Sequence, residues 1–147
     1  MKNKKKPKIK NNPSNKKIPR IDPRISTDPL QLSPSWQFEF IDIDGPWGWN
    51  NINRDYLLSN ILKSIINFES MKWHEILNRN NHEIEKYRIT KQAQKRLTEL
   101  NMDDIESLVS LRIMGAVRIW GIRVHNCFKV LWWDPEHQVC PSKLKHT

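Results

Sequence analysis

The chain has 147 residues, of which 37% are hydrophobic, and a formal net charge of +9. This length suits one domain with a substantial core, and two cysteines exclude a disulfide framework and fit a reducing compartment. No apolar run is long enough for a membrane span or a secretory signal, so we expect a cytoplasmic protein with no membrane partner.

The excess positive charge lies at the beginning of the chain. Residues 1–24 hold ten Lys or Arg against one Asp, so residues 25–147 are neutral overall. Residues 1–35 also contain six of the nine prolines and no glycine. Such a segment buries too little apolar surface to offset its ordering entropy, which predicts a disordered basic tail over 1–35. The tail either contributes to binding or reflects a coding bias towards Lys and Asn. The domain is then predicted over 36–140, with a flexible end over 141–147.

The first predicted elements are a strand and a loop. Aromatic residues alternate with other residues over 36–43, a period of two that predicts a strand. The following stretch, 44–51, reads DGPWGWNN and is typical of a loop. We expect Trp47 and Trp49 within it to cover the core, because exposed aromatic surface is costly.

Three helices are predicted next. Asn53 is a suitable N-cap for a helix over 54–68, Ser70 for a short second helix and Thr90 for a third. The apolar stripe predicted to face inward on the first helix consists of Leu57, Leu58, Ile61, Leu62, Ile65 and Ile66. On the third helix, the charged residues predicted to face solvent are Lys91, Lys95 and Arg96.

Residues 107–133 contain three β-rich runs, separated by turns near 114–116 and 125–126. Connections this short permit only antiparallel neighbours, so a meander is expected. The chain as a whole is therefore predicted to be α+β, with a small antiparallel sheet that packs against the N-terminal helices. The positive charges of this region, which has no Asp or Glu, are Arg112, Arg118, Arg123 and Lys129.

The sequences LRIMGAVRIW, from Leu111 to Trp120, and FKVLWWDPEH, from Phe128 to His137, resemble the C-terminal half of RelE/ParE-like toxins of type II toxin–antitoxin systems. The resemblance covers roughly 36–140. It implies a RelE-like fold, with Arg112 and Arg118 on either side of a glycine-containing turn and His137 after the last strand. Some members of this superfamily cut messenger RNA on the ribosome and others act on DNA gyrase.

Cleavage of RNA through its own 2′-hydroxyl needs a base, cations that hold the phosphate, and an acid. Arg112, Arg118 and His137 are the candidate catalytic residues, because guanidinium groups bind phosphate in a bidentate manner and imidazole transfers protons near neutral pH. Glu136 is an alternative base. The candidate substrate-binding residues are Arg123, Lys129 and Trp133. Arg118 and Arg123 face opposite sides of an ideal strand, unless Gly121 marks a bulge.

Adjacent residues of a strand point to opposite faces, so Trp132 and Trp133 are expected to have different surroundings. Trp132 shares its parity with Phe128 and Val130 and is predicted to be in the core. In the fold that the resemblance implies, the other face of the sheet is concave and basic, so Trp133 is expected to lie beside Lys129 in that cleft. There it either stacks on a base or is covered by the N-terminal loop.

No metal or cofactor is predicted. The pairs His125/Cys127 and His137/Cys140 have spacings that suit zinc, but they flank a predicted strand and lie roughly 25 Å apart at about 3.3 Å per residue.

Two functions remain open from the sequence. The first is a RelE-like endoribonuclease toxin with RNA or the ribosome as its target and a cognate antitoxin as its inhibitor. The second is a non-catalytic module of the same fold that binds nucleic acid or a protein.

Overall fold

The computed structural model describes residues 28–141 and is organised around one five-stranded sheet. In chain order, the strands are β1 (Ser35–Gln37), β2 (His82–Glu85), β3 (Ser107–Met114), β4 (Val117–Val124) and β5 (Cys127–Asp134). Their spatial order is β1-β5-β4-β3-β2. The predicted α+β class and the C-terminal meander of β3, β4 and β5 are confirmed.

The prediction of an antiparallel sheet was wrong in one respect, because β1 pairs parallel to β5 and the sheet is mixed. No tight turn joins these two strands, so chain connectivity does not impose an antiparallel arrangement. The turn between β4 and β5 forms further hydrogen bonds with β1 and with the residues just before it. The backbone oxygen of Asn126 accepts from Ser35 N at 3.1 Å, and its side-chain amide donates to Ser33 O at 3.1 Å.

The N-terminal elements differ from the prediction in their bounds. A 3₁₀ helix, Pro29–Gln31, lies within the segment assigned to the tail, and its Leu30 packs against the core. β1 ends at Gln37 rather than near residue 43, because the chain turns there and Ile41 N donates to Phe38 O. The predicted tails at 1–27 and 142–147 lie outside the described residues.

Helix α1 begins after Asn53, whose side chain accepts from Tyr56 N at 3.1 Å as the predicted cap. It consists of Arg54–Tyr56, a π-helical segment Leu57–Ile61, and Leu62–Glu69. The prediction that all six residues of the apolar stripe face inward was wrong, because only one side of α1 contacts the core. The exposed members of the stripe are Leu58, Leu62 and Ile66, of which Ile66 is 65% exposed.

The other two helices are short. α2 (Trp73–Ile76) is capped at Lys72, whereas Ser70, predicted as its cap, instead ends α1. α3 (Lys91–Glu99) begins at Thr90, whose hydroxyl accepts from Ala93 N at 3.2 Å as predicted. Two further 3₁₀ helices are Trp49–Asn51 and Lys86–Arg88.

Both faces of the sheet are covered, so the protein has two hydrophobic clusters. The first cluster lies between the sheet and α1 and α2, and includes Ile61, Ile65, Phe68, Trp73, Val109, Leu111, Ile119, Phe128 and Val130. The second lies between the opposite face and α3, and includes Trp47, Ile89, Ala93, Leu97, Leu108, Trp120, Leu131 and Trp132.

A bulge in β5 determines which face of the sheet each of the two adjacent tryptophans occupies. Trp120 pairs with Trp132 but Gly121 pairs with Val130, so Leu131 is the extra residue. Trp132 is fully buried as predicted. The bulge moves it to the face opposite Phe128 and Val130, so the predicted shared parity was wrong.

The loop after β1 is fixed by a buried ion pair. Asp42 is 2% exposed and accepts from Arg96 Nε and Nη2, both at 2.8 Å, and from Trp132 Nε1 at 2.9 Å. Arg96 was predicted to face solvent, but the carboxylate draws it inward. A Cβ on Gly45 would lie 2.2 Å from Asp42 Oδ2, which explains the glycine in this loop. Trp47 is 3% exposed and covers the core as predicted.

Candidate functional site

A cleft of about 670 Å³ opens at the end of the sheet where β2 and β4 begin and β5 ends. Its lining residues are Arg79, Asn80, His82, Ile84, Arg88, Ser110, Arg118, His137, Cys140 and Pro141. Within the described part of the chain, this lining holds three arginines and two histidines and no carboxylate. We call it the arginine cleft.

Arg118 lies in the arginine cleft at the second position of β4. Its Nη1 donates to Gly115 O at 2.6 Å and to Val117 O at 3.2 Å, so the turn before β4 holds the guanidinium. Gly115 has a φ of 49°, a left-handed conformation that glycine adopts without strain. Burial and the nearby charge of Arg112 lower the pKa of Arg118, while Asp134 opposes the shift.

His137 also lines the arginine cleft, on a turn that a buried carboxylate organises. Asp134 accepts from Trp120 Nε1 at 3.1 Å, Gln138 N at 2.9 Å and Val139 N at 3.0 Å. His137 itself has a φ of 56°. Both Arg118 and His137 were candidates from the sequence, and the structure places them in one cleft.

The environment of His137 favours a neutral imidazole. Burial lowers its pKa, the positive charges of Arg118 and His82 lower it further, and Asp134 partly opposes the shift. An imidazole whose pKa lies below its ordinary value is unprotonated at neutral pH and can accept a proton.

Three lining residues were missed from the sequence, namely Arg79, His82 and Arg88. They lie on or beside β2, a short and mostly exposed edge strand for which the sequence predicted no element. Long-range pairing of His82 with Ser110 brings them to the cleft. Arg79 and Arg88 form no ion pair with any residue in 28–141, so their charge is available to an anion.

Arg112 lies next to the arginine cleft rather than in its lining. It pairs directly with Arg118 across β3 and β4. Its Nε donates to Gly115 O at 3.2 Å and its Nη1 to Asn80 Oδ1 at 3.3 Å, and it lines an adjoining cleft.

The three predicted substrate-binding residues are not brought to this site. Arg123 faces the other side of the sheet, with its guanidinium carbon 5.7 Å from the Trp73 ring and Nη2 3.5 Å from Glu83 Oε2. The alternative of a bulge at Gly121 is not realised, because the bulge is in β5. Lys129 Nζ lies 4.8 Å from the Phe40 ring.

Trp133 is half-buried in the first hydrophobic cluster, with its ring 6.4 Å from that of Tyr56. The prediction that it lies beside Lys129 was wrong, because the bulge at Leu131 places the two side chains on opposite faces. Among residues 28–141, no Phe, Tyr or Trp lines the arginine cleft. An anion would therefore be held there by charge and hydrogen bonds rather than by stacking.

Across residues 28–141, no group of three or more His, Cys, Asp or Glu side chains is arranged to hold a metal ion. No helix in the same range has both the length and the apolar composition needed to cross a membrane. Comparisons of the chain with protein-family models, with curated proteins and with solved structures found no match.

Proposed function

We propose that the protein binds RNA in the arginine cleft and cleaves it without a metal, as an endoribonuclease of the RelE-like toxin type. The observation that carries the proposal is the position of Arg118 and His137 in one cleft with Arg79 and Arg88, where residues 28–141 contribute no carboxylate to the lining. Guanidinium groups that are not paired with a carboxylate are suited to binding phosphate.

The proposed reaction uses the 2′-hydroxyl of the substrate. His137 removes its proton, and the oxygen attacks the adjacent phosphorus while Arg118 donates hydrogen bonds to the phosphoryl oxygens. The bond from phosphorus to the 5′-oxygen then breaks. That oxygen takes a proton from His82, the second imidazole of the lining, which leaves a 2′,3′-cyclic phosphate and a 5′-hydroxyl.

The toxin–antitoxin role forms part of the same proposal. The supporting features are the antiparallel meander, the glycine-containing turn between Arg112 and Arg118, and the histidine after the last strand. Messenger RNA or the ribosome would be the target, in the cytoplasm, and an antitoxin would act by covering the arginine cleft.

The experiment is cell-free translation with added protein, with messenger RNA ends mapped by primer extension. Wild type should produce new ends, and Arg118→Ala and His137→Ala should not. The matched controls are Arg54→Ala and His74→Ala, which remove the same residue types from exposed positions on α1 and α2. Intact messenger with wild-type protein, or equal cleavage by Arg118→Ala, would overturn the proposal.

A non-catalytic RNA-binding module is the second candidate, because the arginines of the cleft suffice to bind a phosphate without any proton transfer. It predicts that wild type retains labelled RNA in a filter-binding assay while the RNA ends stay unchanged, and that Arg118→Ala weakens retention where His137→Ala does not.

A further inference from the structure

A second cleft adjoins the arginine cleft on the side of α1. It has a volume of about 480 Å³, and Asn80 lines both clefts. Its lining residues are Lys63, Ser64, Asn67, Phe68, Met71, Asn80, Asn81, Arg112, Ile113 and Met114. The two clefts therefore meet at Asn80.

The second cleft is also positively charged. Lys63 and Arg112 make no ion pair with any carboxylate among the described residues, and the Arg112 guanidinium donates only to the neutral oxygens of Gly115 and Asn80. Both residues line the second cleft, and no carboxylate among the described residues compensates their charges. This is a local feature, since residues 25–147 are neutral overall.

The backbone of Arg112 is held in place by a buried side chain. Asn81 is 7% exposed, accepts from Arg112 N at 2.8 Å and donates to Ile76 O at 2.9 Å. The floor beside it combines amide and hydroxyl groups with apolar side chains, including Met114, which is 50% exposed. A sugar and base could lie on such a floor while the phosphate meets the cations.

We propose that the two clefts form one track for a single RNA strand, in which the arginine cleft holds the scissile phosphate and Arg112 and Lys63 hold a flanking phosphate. This inference rests on the proposed function, since it needs RNA in the first cleft. It gives Arg112 a binding role in place of the catalytic role expected from the sequence. It also makes the substrate class a single strand longer than a dinucleotide.

The test is binding of two labelled 2′-O-methyl RNA probes, a dinucleotide and a hexanucleotide, which lack the attacking hydroxyl and are not cleaved. Fluorescence anisotropy is measured with the full chain at several salt concentrations. The variant Lys63→Gln/Arg112→Gln removes two charges from the second cleft. The control Lys91→Gln/Lys95→Gln removes two from exposed positions of α3. Any contribution of the basic segment 1–24 is common to all of these proteins.

Wild type should bind the hexanucleotide more tightly than the dinucleotide. In Lys63→Gln/Arg112→Gln, hexanucleotide affinity should fall about tenfold or more, and the salt slope should drop by about 0.7, the value for one single-strand phosphate that is no longer neutralised. Dinucleotide affinity should be unchanged, and the control should match wild type. Asn67→Glu, which keeps Arg112 and adds a negative charge to the cleft, should cause the same selective loss.

Two results would overturn the inference in distinguishable ways. Equal hexanucleotide affinity and salt slope in wild type and Lys63→Gln/Arg112→Gln would remove the second cleft from the track and leave the proposed function intact. No binding of either probe by wild type would overturn the proposed function and the track together.

Discussion

Replacement of Arg96 by methionine should destabilise the fold strongly, because it removes the cation from a buried ion pair. Asp42 is 2% exposed, and Arg96 contacts both of its carboxylate oxygens at 2.8 Å. The pair joins α3 to the loop after β1. Methionine keeps most of the volume and the helix propensity of arginine, so the change isolates the effect of the charge.

The expected cost follows from what remains around the carboxylate. Removal of one partner from a buried pair costs about 3–5 kcal/mol. Asp42 would keep two donors, Gly45 N at 3.1 Å and Trp132 Nε1 at 2.9 Å, and Arg96 is itself 21% exposed. We therefore expect a loss of about 2–4 kcal/mol in the free energy of unfolding at pH 7, a large share of the ~5–15 kcal/mol typical of a domain.

The pH dependence gives the prediction its sign. In wild type, burial raises the pKa of Asp42, but the hydrogen bonds from Arg96, Trp132 and Gly45 lower it by more, so the net pKa lies below 3.8. The stabilisation is thus present above the unfolded pKa and lost as pH falls through the folded one. In Arg96→Met the main lowering contact is gone, and burial raises the Asp42 pKa. Protonation of Asp42 then removes the cost of burying an unpaired carboxylate. The difference in the free energy of unfolding between wild type and Arg96→Met should therefore shrink as pH falls.

The assay is urea unfolding followed by tryptophan fluorescence at pH 7 and at pH 4.5. Glu99→Gln is the control, because it removes the other carboxylate on Arg96, at 2.9 Å and 47% exposed. An exposed pair should contribute less than about 1 kcal/mol. A cost of Arg96→Met no larger than that of Glu99→Gln, and the same at both pH values, would refute the reasoning.

Three further predictions concern the arginine cleft and the sheet. Arg118→Gln should raise the pKa of His137 in an NMR titration, because the nearby positive charge is removed; an unchanged pKa would contradict their electrostatic contact. Gly121→Ala should cost about 1–3 kcal/mol in urea unfolding, since a Cβ there would lie 2.4 Å from the Phe128 ring; a wild-type midpoint would count against that packing. Asp134→Asn should cost about 1–3 kcal/mol, because an amide NH₂ would face N–H donors, and amide exchange at residues 138 and 139 should accelerate; unchanged exchange rates would remove Asp134 from the support of that turn.

The meander could be predicted from the sequence because its strands are long and rich in apolar residues, several of them β-branched or aromatic. The three runs within 107–133 are separated by turns at the predicted positions, and strand pairing follows directly from such short connections. β2 could not be predicted in the same way. Its four residues are mostly polar and exposed, and it exists because β3 offers an edge for pairing, which is a long-range property.

The bulge at Leu131 could not be predicted from the sequence either. A run of large apolar residues fits either face of a sheet that is covered on both sides, so residue type does not reveal where parity changes. The same limit applies to the site. Arg118 lies within the meander and His137 shortly after it, so both could be selected, whereas Arg79, His82 and Arg88 reach the cleft only through the pairing of β2.

The N-terminal segments that contain β1 and α2 form hydrogen bonds with the turn between β4 and β5, and this affects the order of folding. Asn126 bonds to Ser33 over a separation of 93 residues, and its backbone oxygen also accepts from Trp73 Nε1 at 2.9 Å. During synthesis, β1 and α2 therefore lack their partners until β5 has left the ribosome. Closure over such distances is slow and exposes apolar surface meanwhile. We expect folding to be completed late, with α1 and α2 accessible to chaperones until the last strand inserts between β1 and β4.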